Sequence, residues 1–132
     1  KAFDTISHQH IITGLEQRGF DPHIIHLIKD MYKNTTTYIG MKNEKTDPIN
    51  ILSGVKQGYP MSPMLFHLAI DLLLRKLEKD GKGFQRGGLK ITAMAFADDL
   101  VLLSNSWDGM CTNIKILETF CELTGLQTQG KE

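Results

Sequence analysis

Two adjacent carboxylates, Asp98 and Asp99, interrupt an apolar stretch that runs from residue 91 to residue 103. To their left, residues 91–96 read as a short buried strand. To their right, residues 100–103 read as another. The join is short enough only for a tight turn, so the expected object is a β-hairpin with Asp98 and Asp99 at its tip. Carboxylates side by side in poorly solvated surroundings repel each other, and burying a bare charge is costly. A divalent cation relieves both penalties. Carboxylate oxygens suit Mg²⁺, which binds through one or two carboxylates together with substrate phosphates. The competing reading is a plain polar turn, since Asp is common in turns.

A second chemically suggestive stretch is residues 54–63, Gly-Val-Lys-Gln-Gly-Tyr-Pro-Met-Ser-Pro. Its glycines and prolines forbid regular structure, and glycine lets a backbone come close to a ligand. Ser62 reads as a helix cap, with Pro63 at the first helical position. A Gly-rich loop feeding a helix N-terminus can hold an anion through exposed amides and the helix dipole. The alternative is a connecting loop. His23 and His26 lie three apart on one predicted helix, but with no third ligand they read as surface histidines.

The elements that must position these residues are legible in outline. Residues 1–8 read as a loop or the exit from a strand. Ser7 starts a helix with Ile11, Ile12 and Leu15 on one face, ending near Gly19. Asp21 and Pro22 start the next, whose Ile24, Ile25, Leu27, Ile28 and Met31 form a broad apolar face. Residues 35–40 and 49–52 read as a strand pair around a turn at Asn43 and Glu44. A long helix follows Pro63 through Leu65, Phe66, Ala69, Ile70, Leu72, Leu73 and Leu77, and breaks at Gly81. Residues 83–88 are a turn-rich link. After the central hairpin, Asn105 or Asp108 caps a last helix carrying Met110, Ile114, Ile116, Leu117, Phe120 and Leu123, ending at Gly125. The strands form local pairs instead of alternating with helices. That predicts an α+β fold, an antiparallel sheet with helices packed on one face. No internal repeat, low-complexity linker or domain boundary interrupts the chain.

The composition is ordinary for a globular domain, with 41% hydrophobic and 23% charged residues over 132 positions. Fifteen basic and 15 acidic residues cancel, so net charge gives no support to nucleic-acid binding. Local clusters remain, Lys29 and Lys33, then Lys76, Lys79, Lys82, Arg86 and Lys90. They are read either as solvated faces or as phosphate contacts. Cys111 and Cys121 lack metal-ligand spacing and read as buried or partly buried thiols in a reducing compartment in preference to a disulfide. No run is apolar enough to span a membrane, and no signal peptide is present. The expected setting is intracellular, nuclear and cytoplasmic. Because the chain begins at Lys1 and stops at Glu132 in mid-segment, it reads as a fragment of a longer protein.

Together these stretches resemble the palm of a reverse transcriptase, and are most similar to those of non-LTR retrotransposons of the LINE type. Within that group they are similar to elements that insert at specific genomic sites such as ribosomal DNA. The resemblance covers residues 1–132 as a partial palm, from the tail of motif A to the start of motif D, without fingers or thumb. Residues 1–8, Lys-Ala-Phe-Asp-Thr-Ile-Ser-His, resemble the motif A tail. Residues 54–63, with Leu65 and Phe66 behind them, resemble motif B. Phe96-Ala97-Asp98-Asp99 resembles the aromatic-x-Asp-Asp box of motif C. The resemblance implies RNA-directed DNA synthesis, in which a primer 3′-hydroxyl attacks the α-phosphate of a deoxynucleoside triphosphate with two metal ions on the attacking and leaving oxygens. It makes Asp98 the main metal ligand of motif C, with Asp99 beside it, and Mg²⁺ the cofactor, with Mn²⁺ as a substitute. The implied partners are an RNA template, a DNA primer and deoxynucleoside triphosphates. Phe3 falls where the family keeps an aromatic against the sugar. Gln57 and Gly58 fall where the loop lies against the incoming nucleotide, and Lys131 falls near the nucleotide-side lysine of motif D.

The sequence departs from the pattern in three places. The first catalytic aspartate of motif A is expected three residues before Lys1, and Asp4 is a different position. Tyr59 stands where the Gln-Gly-Asp-Pro form of motif B has Asp. The asparagine expected near Gln129 is missing. The isolated chain is therefore expected to be inactive. The alternative is a degenerate or reused palm-like module that binds nucleic acid or protein without catalysis. A signalling cyclase with a palm-like core also uses paired carboxylates, but the 54–63 loop argues against it.

Overall fold

Residues 2–5 coil into a short helix, α1 (Ala2–Thr5), where the sequence suggests a loop or strand exit. The computed structural model describes residues 2–41, 44–56 and 58–128. Helix α2 (His8–Gln17) starts as expected, with the Ser7 hydroxyl accepting from the His10 N–H at 3.3 Å. Helix α3 (Pro22–Tyr32) starts with Asp21 accepting from the His23 N–H at 2.8 Å and Pro22 at the first position. Its buried face is narrower than the sequence suggests. Ile25, Ile28 and Tyr32 point inward, whereas Ile24 and Leu27 are exposed. One stripe of a helix with 3.6 residues per turn meets the core, and neighbours about 100° away miss it.

The next segment is an irregular hairpin with two short rungs. Strands β1 (Thr36–Thr37), β2 (Gly40–Met41), β3 (Glu44–Lys45) and β4 (Ile49–Asn50) pair β1 with β4 and β2 with β3. Helix α4 (Ser62–Asp80) follows the glycine–proline loop. Ser62 is not its cap, contrary to the sequence expectation. Met61 takes that position without a side-chain bond, and the Ser62 hydroxyl donates to the Lys56 carbonyl, closing the loop on itself.

Residues 83–88, expected to be a turn-rich link, instead belong largely to a hairpin of β5 (Phe84–Arg86) and β6 (Leu89–Ile91). Gly87 and Gly88 make its two-residue loop with φ of +57° and +80°, the left-handed pair that this tightest of turns requires. The central hairpin is β7 (Ala93–Phe96) with β8 (Asp99–Leu102). Helix α5 (Trp107–Thr124) is capped by Ser106, which accepts from the Gly109 N–H at 3.1 Å, instead of by Asn105 or Asp108. Asn105 is occupied elsewhere, accepting from the Gln85 N–H at 3.1 Å. Gly125 ends α5 at a φ of +76°.

The arrangement is α+β with antiparallel pairing throughout, and the described strands pair two by two in four separate ladders. The core lies among the helices. Ile11, Ile12 and Leu15 of α2 and Ile25 and Ile28 of α3 meet Leu65, Phe66 and Ala69 of α4 in one cluster, with Ile6, Val55 and Leu126 filling in. Helix α5 turns part of the expected apolar set inward, with Met110, Ile116, Leu117 and Phe120 half-buried and Phe120 packed against the core, while polar and small residues fill its most buried positions. Gly109, Asn113 and Thr124 are its buried residues, and Leu123 is exposed. Asn113 is 0% exposed and fully partnered. Its carbonyl oxygen accepts from the Lys82 N–H at 2.8 Å, and its amide donates to the Lys82 and Leu103 carbonyls, both at 3.2 Å. One side chain thus ties α5 to the end of α4 and to the exit of β8. No described helix is long and apolar enough to cross a membrane.

Candidate active site

Register fixes what the central hairpin presents. Ala93 pairs with Leu102, Met94 with Val101, Ala95 with Leu100 and Phe96 with Asp99. Ala97 and Asp98 are therefore the two-residue turn, and Asp99 is the first residue of β8. Ala97 takes a φ of +51°, unusual for a residue with a Cβ, and the sharp reversal depends on it. Directly opposed residues share a face. Ala93, Leu100 and Leu102 form the half-buried face, on the side of α4 and α5, which the hairpin contacts. Met94, Val101, Phe96 and Asp99 form the outer face. Phe96 is 83% exposed, and Asp98 and Asp99 are both exposed.

This corrects the expectation of two buried strands and a poorly solvated carboxylate pair. A two-stranded ribbon can bury only the face that meets the helices, so its tip and outer face stay in water. The carboxylates are adjacent, acceptor-only and free to approach a ligand from outside. Such a donor set fits a hard divalent cation that keeps several waters. Among the described residues, no group of three or more His, Cys, Asp or Glu side chains lies close enough to hold a metal by itself. His23 and His26 are exposed, and His26 lies 3.8 Å from Asp30.

The motif A tail and the motif B loop are locked together. The Gly54 N–H donates to the Ile6 carbonyl at 2.7 Å, and Ser7 and Ser53 form an antiparallel bridge. The His8 ring reaches the Gly54 carbonyl at 2.9 Å and lies against the Tyr32 ring, with centroids 4.4 Å apart. Gly54 itself has a φ of +86°. From the other side, the Ser7 N–H donates to the Thr124 carbonyl at 3.0 Å, so the end of α5 braces the same turn.

Beyond Gly54 the loop bends through Gly58, at a φ of +83° with nothing within 4 Å of where a Cβ would sit. The Tyr59 N–H donates to the Lys56 carbonyl at 3.3 Å, and the Lys56 ammonium lies 5.2 Å from the Tyr59 ring centroid. Burial pushes the pKa of the Tyr32 hydroxyl up, and hydrogen bonds with the Lys56 backbone and the Ser62 side chain partly oppose this. The hydroxyl thus stays protonated as a post under the loop.

The structure therefore brings Asp98 and Asp99 together at one hairpin tip and seats Gly58, open to solvent, in a separate loop. Phe3 lies in α1, and its side chain is outside the described part. Gln57 and Lys131 lie outside the described residues. Two positioning residues are not visible in the sequence. His8 and Asn113 carry no periodic or motif signal, since each is a lone polar residue on a helix whose role depends on which backbone carbonyls arrive beside it.

A carboxylate pair on a hairpin tip, beside a helical layer, with a glycine–proline loop entering the longest helix, is the arrangement of a partial polymerase palm. The family model described as "Reverse transcriptase (RNA-dependent DNA polymerase)" matches residues 1–131. The chain belongs to the reverse transcriptase family. It is similar to Pol polyproteins of R2 retrotransposable elements. Over 132 residues it is 36% identical to one from Nasonia vitripennis, covering 100% of this chain and 12% of that protein. Over 134 residues it is 37% identical to one from Popillia japonica, covering 100% of this chain and 19% of that protein. A Drosophila melanogaster R2 polyprotein is 33% identical over 127 residues, 96% of this chain and 12% of its own length. The chain thus spans under a fifth of the length of these relatives.

Proposed function

We propose that this chain is the palm segment, motif A tail to the start of motif D, of an RNA-directed DNA polymerase from a non-LTR retrotransposon. The observation that carries the reading is the two-residue turn that sets Asp98 and Asp99 side by side in solvent at the end of β7 and β8. Asp98 and Asp99 would hold Mg²⁺, or Mn²⁺ in its place, which supplies charge stabilisation for the attacking and leaving oxygens. In the reaction, the primer's 3′-oxygen bonds to the α-phosphorus of the deoxynucleoside triphosphate. The bond to the bridging oxygen breaks, pyrophosphate leaves with the electron pair, and the hydroxyl proton passes to solvent. The protein's part is positioning and charge stabilisation. Gly58 gives the motif B loop an unobstructed surface toward the incoming nucleotide, and the clasp between Ile6 and Gly54 sets where that surface stands. Phe3, Gln57 and Lys131 are assigned the sugar, nucleotide and phosphate contacts that the family resemblance implies. Cys121 is half-buried, whereas Cys111, against the expectation of a buried or partly buried thiol, is exposed.

The test is primer extension on an RNA template. The 132-residue chain should show none, because the family's first metal-binding aspartate is expected before Lys1. A longer polypeptide that includes it should extend the primer, and Asp98→Ala should abolish the extension. Extension by the 132-residue chain, or by the longer Asp98→Ala protein, would overturn this assignment. One observation favours a second reading, a palm-like module that binds nucleic acid without catalysis. Tyr59 engages Lys56 where the family's motif B carries an aspartate. RNA binding that ignores Mg²⁺, with no extension by the longer protein, would favour that reading.

A further inference from the structure

We propose a second polynucleotide site at the base of the β7–β8 hairpin, remote from Asp98 and Asp99, that takes a single-stranded nucleic acid through Lys79, Lys82, Lys90 and Trp107. A cavity of about 350 Å³ opens there. Its walls come from the end of α4, the entry to β5, the loop after β8 and one side of β6. Lys79, Lys82 and Lys90 line it, with Ser104 and Asn105 between them. One carboxylate, Asp80, shares the lining with the three lysines and offsets part of their charge, so the lining stays net positive. Asp80 is tied first to Lys76, one turn earlier in α4, with Lys79 and Lys90 also within its electrostatic reach, and Asp108, in the first turn of α5, is not among the lining residues. The Lys90 ammonium donates to the Glu78 carbonyl at 2.6 Å and sits 3.4 Å from that of Gly81, so it is held in place without a carboxylate partner. Lys79 and Lys82 make no ion pair among the described residues.

Two exposed aromatic residues are neighbours in sequence of the lining residues. Trp107, next in sequence to the lining residue Ser106, is 76% exposed, and Phe84, between the lining residues Gly83 and Gln85, is 43% exposed. Large aromatics in water beside a basic groove are the two parts of a single-strand site. The lysines hold the phosphodiester backbone, and the indole offers a face on which any base stacks. Duplex bases are already stacked and gain nothing from Trp107. The site is also separate from the carboxylate tip. Ser104 lies two residues past the end of β8, which begins at Asp99, so at about 3.3 Å per extended residue the two are up to roughly 16 Å apart along the ribbon.

The probe is a labelled oligouridine of about 12 nucleotides, within the usual span for such sites, in RNA and DNA versions, with the RNA duplex as control. Binding is read without nucleotide or divalent ion, so its outcome is independent of polymerase activity. Lys79→Ala with Lys82→Ala should weaken binding of the single strand and flatten the dependence of log affinity on log salt by about 1.4, at roughly 0.7 for each phosphate no longer neutralised. Trp107→Ala should weaken it about tenfold while leaving the salt slope unchanged. Photocrosslinking of the bound oligouridine should mark peptides spanning residues 79–90 or 104–109. A preference for RNA or for DNA names the strand and supports the site in either case. Wild-type affinity in both variants, crosslinks confined to other peptides, or duplex binding as tight as single-strand binding would overturn the proposal. All three substituted side chains are exposed, so melting temperatures should stay at the wild-type value.

Discussion

The Cα of Gly54 lies so close to Asp4 that a Cβ placed on it would sit 2.9 Å from the Cα and 2.9 Å from the carbonyl oxygen of Asp4. The obstacle is backbone, which cannot rotate away as a side-chain tip can. Gly54 also has a left-handed φ of +86°. Gly54→Ala should therefore destabilise the protein by about 2–4 kcal/mol, roughly 1–2 from the backbone conformation and the rest from overpacking. Gly58→Ala is the matched control. It shares the left-handed φ but meets nothing within 4 Å, so only the conformational cost of about 1–2 kcal/mol applies. Urea denaturation of both variants separates the two contributions. Equal losses would show that the contact with Asp4 carries no energy.

Asn113→Ala should cost about 3 kcal/mol, because it leaves the Lys82 N–H and the Lys82 and Leu103 carbonyls without their partner in a buried place. Asn113→Asp keeps the acceptor but loses the donor, and it buries a charge, so it should be at least as damaging. Thermal unfolding measures both. A loss under about 0.5 kcal/mol would mean that water reaches these groups.

His10 makes stability depend on pH. Burial lowers its pKa from the ordinary 6.5, and a hydrogen bond with the Ala69 carbonyl opposes this only in part. The Phe120 ring, centred 5.0 Å away, is the aromatic neighbour on α5. The folded state thus favours neutral imidazole. Its contribution is fully present above pH 6.5 and is lost as pH falls through the lower folded value. Melting temperatures should drop between about pH 7.5 and about pH 5.5, and His10→Gln should shrink that drop. An unchanged drop in His10→Gln would assign the effect to other groups.

Asp98→Ala tests the proposed chemistry against the fold. Asp98 occupies an exposed turn, so its removal should leave the melting temperature unchanged. In the longer polypeptide that includes the motif A aspartate, primer extension should fall by more than about a thousandfold, the loss expected when several kcal/mol of metal-borne stabilisation disappear. A modest drop would make Asp98 a turn residue and no more.

Different features of the sequence carry different amounts of information. The caps at Ser7 and Asp21 and the break at Gly125 are legible because a side chain or a glycine satisfies its own neighbours. The Asp98–Asp99 hairpin is legible because two apolar runs can join only through a turn. The burial of that hairpin is not, since Met94, Phe96 and Val101 look like core until one sees which face the ribbon turns to its helices. Ile24 and Leu27 mislead for the same reason. Gly87 and Gly88 carry a hairpin signal that a run of turn formers conceals. Asn113 and His8 leave no signal, because their partners are backbone groups brought in from distant segments.

The hydrogen bond from Ser7 to Thr124 joins the two ends of the described chain. A ribosome releases the amino-terminal helices long before it makes residue 124. Until then the turn at Ser7 lacks one of its braces, although α2 and α3 already have their main packing surface once α4 is made. Contacts of such sequence separation slow folding and lengthen the exposure of unpaired apolar surface. A chain clasped this way closes the brace at Ser7 only after α5 has emerged. Interruption of translation before that point leaves the motif A tail without its support from Thr124.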